Sequence, residues 1–333
     1  MTGASGHIGA NLVQAMLERG WHVRALVRAH RHPIDKLDVE TVEGDIRSPE
    51  SLYHAFRGTD VVYHLAGYIS LSANEWPLLH SVNVIGTRNV VEACISCGAQ
   101  RLVHFSSIHA LRQSSPDIPV DESTPLAASP DCAPYDRSKA LGELEARSGL
   151  ERGLDTVVIS PTGVVGPYDH HPSHFGQVLL SLVHRRIPTL VSGGFDWVDV
   201  RDVVQGAMEA QQLAPTGAKY ILSGRWTSLS ELAGMVAQIT GVPSPWLMCP
   251  MGLARIGVPF YAALARMSGR RTLYTTMSLK TLRWRPGISH QRASQDLGYQ
   301  PRPLENTLAD TLRWWKEAGY LPNSISIQDL KSI

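Results

Sequence analysis

The sequence predicts an α/β protein, a doubly wound parallel sheet followed by a smaller mixed α/β part. Three observations carry that expectation. Short β-rich runs alternate with helical patterns from the start to about residue 160, the mark of βαβ units. A glycine-rich turn, TGASGHIG, opens the first helix. Beyond Pro161 the alternation gives way to helical patterns with only short strands between them.

The elements follow in order. Ile8, Leu12, Val13, Met16 and Leu17 recur at helical spacing, and Gly20 stops that helix. HVRALVR, VETVEG, DVVYHLAG and RLVHFSS then read as four strands. A helix over about 75–95 separates the last two, and a helix over 135–147 precedes a further strand, TVVIS, near Val157. The second part is expected to hold helices near 174–186, 201–213, 228–240, 252–268 and 303–318, with short strands near 189–192 and 218–223. The Pro/Ser-rich stretch 113–134 reads as an ordered loop over the cleft.

At 333 residues the chain can bury a sizeable core. Its 31 Lys and Arg against 30 Asp and Glu leave a net charge of +1, which gives no electrostatic argument for nucleic acid or an anionic membrane. Small molecules are the expected partners. Four irregularly placed cysteines are too few for a disulfide framework, and no charged-then-apolar leader precedes Gly3, so a reducing, cytoplasmic setting is expected. The apolar stretch PMGLARIGVPFYAALARM, 250–267, is broken by Arg255, Pro259 and Arg266 and falls short of the ~20 residues of a membrane span. It reads as a buried or cleft-lining helix.

Gly3, Gly6 and Gly9 let the backbone turn tightly, approach a pyrophosphate and pack the new helix on the sheet, while the helix N-terminus offers free N–H groups and positive dipole. Gly3, Ser5, Gly6, His7, Ile8 and Gly9 are therefore the expected phosphate cradle. The next strand ends at Val27 and Arg28. In dinucleotide-binding folds that position meets the adenosine ribose, where an acid binds the 2′-hydroxyl and a base accommodates a 2′-phosphate. Arg28 thus points to NADP, with NAD as the alternative, and Arg31 reads equally well as a solvated loop residue. Residues 1–165 form the expected dinucleotide-binding part, with 190–225 partly returning to it. Residues 166–189 and 226–325 form the substrate-binding part, and 326–333 a tail.

Taken together, TGASGHIG, EGDIRS at 43–48, HLAG at 64–67, SVNVIGTRNVVEA at 81–93, HFSSIHA at 104–110 and YDRSK at 135–139 resemble the extended short-chain dehydrogenase/reductase family, in order and at suitable spacing. SPTGVVGP at 160–167, DWVDVRDVVQG at 196–206 and the C-terminal DLGYQPRPLENTLADTLRWWKEAGY are similar in particular to the dihydroflavonol-reductase-like branch, beside 3β-hydroxysteroid dehydrogenases and nucleotide-sugar epimerases. The resemblance implies a Rossmann fold. It implies that Asp45 and Ile46 flank the adenine, that Leu65, Ala66 and Gly67 run under the adenosine and pyrophosphate, and that Pro161 and Thr162 pass near the nicotinamide carboxamide. It also implies a homodimer in which helices at about 75–97 and 134–152 pair across a two-fold axis.

Tyr135 and Lys139 lie one helical turn apart on one face, so an ammonium can sit beside a phenol. A tyrosine with a pKa near ~10 is a poor acid or base at neutral pH, and a neighbouring cation lowers that value by favouring the phenolate. By resemblance Lys139 also holds the nicotinamide ribose. Ser107 follows a strand at the carboxyl edge of the sheet and aligns with the family's catalytic hydroxyl, with Ser106 as its neighbouring rival. Asn83 occupies the family's helix asparagine, holding a backbone carbonyl or a relay water, or serving as an ordinary polar residue.

Other clusters carry less. Cys94 and Cys97 form a C-x-x-C on an amphipathic helix with no second ligand pair, which reads as packing. His170, His171 and His174 make a metal site conceivable, but a polar loop at the cleft mouth is the expected reading and no metal is expected. His109 reads equally as substrate-facing or as a surface imidazole.

The expected activity is NADPH-dependent reduction of a ketone or aldehyde on a hydrophobic small molecule, or the reverse oxidation, since Arg28 points to NADP and 251–267 is apolar. The alternative is a nucleotide-sugar epimerase or dehydratase with bound NAD, for which Arg185, Arg186, Arg201, Arg270 and Arg271 are the available diphosphate-binding cations. The glycine turn raises one more expectation. In the family it follows a central strand of about 5–6 residues, yet only Met1 and Thr2 precede Gly3. The first strand is expected to be missing, each unpaired buried backbone group costing roughly 1–3 kcal/mol. The authentic start is then expected about ten residues earlier, allowing for such a strand and its lead-in, with Met1 standing where relatives carry valine.

Overall fold

Strands β1 (Arg24–Val27), β2 (Glu40–Glu43), β3 (Val61–His64), β4 (Arg101–Phe105) and β5 (Asp155–Pro161) are all parallel, as the alternation of the sequence requires. The computed structural model describes residues 1–28, 32–70, 72–113, 118–187, 189–254, 257, 282 and 287–328. Strands β3, β4 and β5 adjoin in that order, and β1 pairs with β2. Between β1 and β3 lie Met1 and Thr2. The Leu26 N–H donates to the Met1 carbonyl at 2.8 Å, the Thr2 N–H to Tyr63 at 2.9 Å, and the Leu65 N–H to Thr2 at 3.2 Å. Two residues thus bridge the two halves of the sheet where the first strand was expected to be missing. The terminal amine is buried, donates to the Arg24 carbonyl at 2.7 Å, and is pushed down to about 5 by that burial.

Helix α1 (His7–Glu18) follows the glycine turn and ends before Gly20, which takes φ 75°. Its Leu12, Val13 and Met16 are buried against Val103, Phe105 and Ile159 on one face of the sheet. On the other face α2 (Pro49–Phe56) packs Leu52 and Phe56 with Leu102. The helix expected over 75–95 is interrupted: α3 (Trp76–Leu79) runs into one wide π turn, His80–Ile85, before α4 (Gly86–Cys97). Thr87 donates its hydroxyl to the Asn83 carbonyl at 2.7 Å within this turn. Gly86 is required there, because a Cβ would stand 2.6 Å from Ile46. Cys94 is fully buried in this core, in keeping with a packing role. Helix α5 (Pro134–Ser148) then leads to β5.

Beyond Pro161 the strands β6 (Gly163–Val165), β7 (Thr189–Val191) and β8 (Gly194–Asp199) appear, with β9 (Lys219–Leu222) closing the parallel sheet beside β5. Strand β10 (Arg225–Ser228) pairs antiparallel with β8, which runs parallel to β6, and β11 (Leu247–Cys249) pairs with β7. Helices α6 (His174–Val183), α7 (Val200–Leu213), α8 (Leu229–Thr240), α9 (Gln291–Leu297) and α10 (Leu304–Glu317) complete the described chain. A second core gathers Trp197, Trp315, Leu179 and Leu232. Ser228 and Glu231 cap α8 reciprocally. Of the helix expected near 252–268 only 252–254 and 257 are described, and Arg31, Arg270 and Arg271 lie outside the described residues. Among the described residues no helix is long and apolar enough to cross a membrane.

Candidate active site

β4 ends at Phe105, and the next two serines point to different partners. Ser106 is buried and donates to Glu143 Oε2 at 2.7 Å, joining a buried Glu143–Lys219 pair at 2.8 and 2.9 Å. It serves the packing of α5 against β9. Ser107 instead opens a short turn and accepts the His109 N–H at 3.2 Å. The structure thereby separates the two candidates that sequence left side by side.

Tyr135 and Lys139 share one face of α5. Pro134 starts the helix without needing an N–H partner, which sets Tyr135 in its first turn. Burial pushes the Tyr135 phenol above its usual range, the Ser107 hydroxyl pulls it back, and the Asp136 charge raises it further. Lys139 is not among these influences, contrary to the expectation that it lowers the phenol. Its ammonium donates to the Phe105 carbonyl at 2.8 Å. Burial lowers Lys139 to about 8, against an upward pull from Glu143.

Asn83 touches neither Tyr135 nor Lys139. Its Oδ1 accepts the Tyr68 N–H at 2.7 Å, and its Nδ2 donates to the Tyr68 carbonyl at 2.9 Å and to Ser138 Oγ at 2.9 Å. Ser138 in turn donates to the Tyr135 carbonyl at 2.8 Å. Asn83 therefore positions the loop after β3 against the first turn of α5. Gly142 permits this approach, since a Cβ there would stand 2.3 Å from the Asn83 carbonyl.

The remaining predicted residues gather around this centre. Gly3 takes φ 73° with its Cα against the Leu65–Ala66 peptide, where a Cβ would lie 2.6 Å from the Ala66 nitrogen. A Cβ on Gly9 would lie 2.1 Å from the Gly3 carbonyl. Gly6 differs: its nearest neighbour would be 3.4 Å away, and no side chain caps α1 there. The place of a Gly6 side chain is thus left open beside the first N–H groups of the helix. Thr2 Oγ1 accepts the Ala66 N–H at 3.2 Å, and Gly67 sits where a Cβ would come within 4.0 Å of Lys139 Nζ. His7 and Asn11 both reach the Pro167 carbonyl at 3.1 Å. Ser5 lies in the same turn, and Ile8 packs its side chain against the core.

Arg28 is exposed immediately after β1, and its charge acts on Asp45. The Asp45 carboxylate is taken by Arg47 in a bidentate pair at 3.0 and 2.7 Å, which holds it below the usual carboxylate range. Ile46 is buried against Gly86. Pro161 closes β5, and Thr162 donates to Asp196 Oδ1 at 2.7 Å. His109 was open between two readings. Its Nδ1 meets Asp136 Oδ1 at 3.0 Å and its ring stands edge-on, 5.6 Å from Tyr135.

Of the histidines at 170–174, His170 stands edge-on to Trp314 at 5.0 Å and lies 6.4 Å from Tyr168. Among the described residues no group of three His, Cys, Asp or Glu side chains could hold a metal. Arg201 is bound by Asp199 and Asp310 at 2.7 and 2.8 Å, the structural role its sequence context suggested.

A glycine turn before a helix, a serine just past the end of a parallel strand, and a tyrosine and lysine one turn apart on a helix meet their counterpart among known proteins. A model of the NAD dependent epimerase/dehydratase family matches residues 1–221. The chain belongs to this family. It is 32% identical over 328 residues to the sterol demethylase protein B of Methylococcus capsulatus, covering 96% of this chain and 99% of that one. It is 28% identical over 336 residues to a 3-beta-hydroxysteroid dehydrogenase of Mycolicibacterium neoaurum, covering 95% and 91%. The crystal structure of gox2253 superposes with a TM-score of 0.84 at 31% identity, covering 96% and 98%. The protein is an NAD(P)-dependent oxidoreductase of the extended short-chain dehydrogenase/reductase type. The residues present fit the nicotinamide dinucleotide that the family implies. A Gly6 side chain would fill the cradle at the start of α1, and Lys139 and Gly67 mark its far end.

Proposed function

We propose that the protein reduces a ketone or aldehyde on a hydrophobic small molecule with NADPH. The observation that carries this reading is that Tyr135 and Lys139 lie one turn apart on α5, while His109 packs its ring edge-on to Tyr135 and donates its N–H to Ser107. NADPH, when bound, supplies the hydride to the carbonyl carbon. Ser107 donates a hydrogen bond to the substrate oxygen and steadies its developing charge. Tyr135 delivers its phenolic proton to that oxygen, completing the alcohol. The burial that raises the phenol keeps this proton in place at neutral pH, which suits reduction. Lys139 holds the nicotinamide ribose, and the cradle from Gly3 to Gly9 takes the pyrophosphate. Arg28 takes the 2′-phosphate, while Asp45 and Ile46 flank the adenine and Pro161 and Thr162 the carboxamide.

On this reading residues 1–165 and part of 190–225 bind the cofactor, and 166–189 with 226–325 bind the substrate. Names of relatives that refer to sterols and hydroxysteroids support an apolar substrate. The alternative, a nucleotide-sugar epimerase with NAD, loses one of its available cations, because Arg201 is already held by two carboxylates. A homodimer through α4 and α5 in the cytoplasm completes the proposal, and light scattering tests its stoichiometry. The deciding experiment pairs a panel of ketones and nucleotide sugars with NADPH and NADH. Reduction of apolar ketones with NADPH, lost in Tyr135→Phe, is the expected result. NAD retained through purification, or full turnover by Tyr135→Phe, overturns the reading.

A further inference from the structure

The near-neutral whole-chain charge conceals a segregation. Between Asp169 and Asp196 the sequence holds no acidic residue, and between Glu231 and Asp296 it again holds none. The second interval carries Arg255, Arg266, Arg270, Arg271, Lys280, Arg283, Arg285 and Arg292. The described ends of these two intervals meet at the β7–β11 pair, where Thr189 stands opposite Leu247. Arg185 and Arg186 close α6 just ahead of Thr189, and both are exposed. Trp246 immediately precedes Leu247, so the arginines and the tryptophan share one end of the pair.

The same place exposes apolar surface that a monomer in water has reason to hide. Trp246 is 86% exposed and Leu253 63%, with Leu247 and Met248 nearly half exposed. Large exposed apolar residues beside unopposed cations match the two attractions of an anionic bilayer surface: insertion of aromatic and aliphatic side chains at the headgroup level and Coulomb attraction to the lipid phosphates. A nucleic acid would use the cations and leave Trp246, Leu247, Met248 and Leu253 without apolar burial. We propose that the Trp246–Leu253 segment, with Arg185 and Arg186, is a docking surface for anionic lipid membranes. The protein then rests on the bilayer through this face without spanning it. None of these residues belongs to the Ser107–Tyr135–Lys139 centre, although they lie in the part assigned to the substrate.

Co-sedimentation of the full chain with vesicles tests it. Vesicles of equal parts phosphatidylglycerol and phosphatidylcholine are expected to carry the protein down at low salt, and pure phosphatidylcholine vesicles to do so weakly. Trp246→Glu is expected to lower the bound fraction about tenfold, the equivalent of 1.4 kcal/mol, and Arg185→Glu with Arg186→Glu to abolish the preference for phosphatidylglycerol. Both positions are exposed, and an unchanged melting temperature shows that each variant folds. No binding to the mixed vesicles overturns the proposal, as does binding that both variants leave unchanged. Tighter binding to duplex DNA than to the mixed vesicles overturns it too.

Discussion

His109 holds Asp136 through Nδ1 at 3.0 Å while its ring edge stands 5.6 Å from Tyr135. The same residue donates its backbone N–H to Ser107. One residue thus meets the phenol with its ring and Ser107 with its backbone. His109→Ala is expected to lower kcat about fivefold, the worth of roughly 1 kcal/mol of lost hydrogen bonding, with little change in KM. His109→Gln, which keeps an amide donor for Asp136, is expected to recover most of it. Equal losses in both variants would show that the ring itself is what matters.

Lys139 sets activity and stability against each other in alkali. Its ordinary value is 10.5 and burial brings it to about 8. The ammonium needed for turnover is therefore lost as pH rises through about 8, and kcat/KM is expected to fall there. The unfolded chain keeps this proton up to its higher ordinary value, so folding stability gains between about 8 and 10.5. A kcat/KM profile beside melting temperatures over that window checks both directions, and Lys139→Met is expected to flatten the second.

The glycine turn divides by purpose. Gly9→Ala places a methyl 2.1 Å from the Gly3 carbonyl, so the turn itself must shift and the melting temperature is expected to drop. Gly6→Ala meets nothing nearer than 3.4 Å and is expected to fold normally. It is expected to weaken NADPH binding about tenfold or more, at least 1.4 kcal/mol. Tryptophan quenching by NADPH against thermal melting separates the two outcomes.

Two buried imidazoles make the fold sensitive to acid. His64 lies between Thr2 and Thr87 at 2.7 and 3.1 Å, and burial lowers it from 6.5 to about 3. His104, its neighbour at 5.3 Å, has no partner on either ring nitrogen and is held well below its ordinary value, again by burial. Unfolded histidines take protons that these refuse, so stability is full above 6.5 and is lost as pH falls toward 3. Each contributes a slope of about 1.4 kcal/mol per pH unit across its window. His104→Leu is expected to raise the melting temperature at pH near 6.5 and to make the acid limb shallower. An unchanged limb would place the acid sensitivity elsewhere.

Much of this was legible beforehand, and the reasons differ by element. The spacing of Tyr135 and Lys139 fixed their common face, because four residues span one helical turn whatever surrounds them. The resemblance favoured Ser107, but the partners that occupy Ser106, Glu143 and through it Lys219, lie far away in sequence and were not legible. The wide turn at 80–85 was hidden for a related reason. Its apolar positions still read as one helix, and the contacts of Asn83 come from Tyr68 and Ser138. Strands β6, β8 and β10 were passed over because glycine opens β6 and β8 and immediately precedes β10. Gly194 and Gly224 lie so close to neighbouring backbone that a Cβ would stand 2.3 and 2.0 Å from it. The cationic, apolar corner was masked by the even total of charges.

Asn83 uses both ends of one amide, accepting at Oδ1 and donating twice at Nδ2. Aspartate has the shape without the donors, and leucine has the bulk without either polarity, so no ordinary replacement satisfies all three neighbours. Loss of this residue would therefore resemble the loss of a reacting group in any turnover assay while leaving every reacting group present. The distinction lies in position: Tyr68 and Ser138 are tied to the same few atoms, so one amide couples the strand-end loop to the first turns of α5.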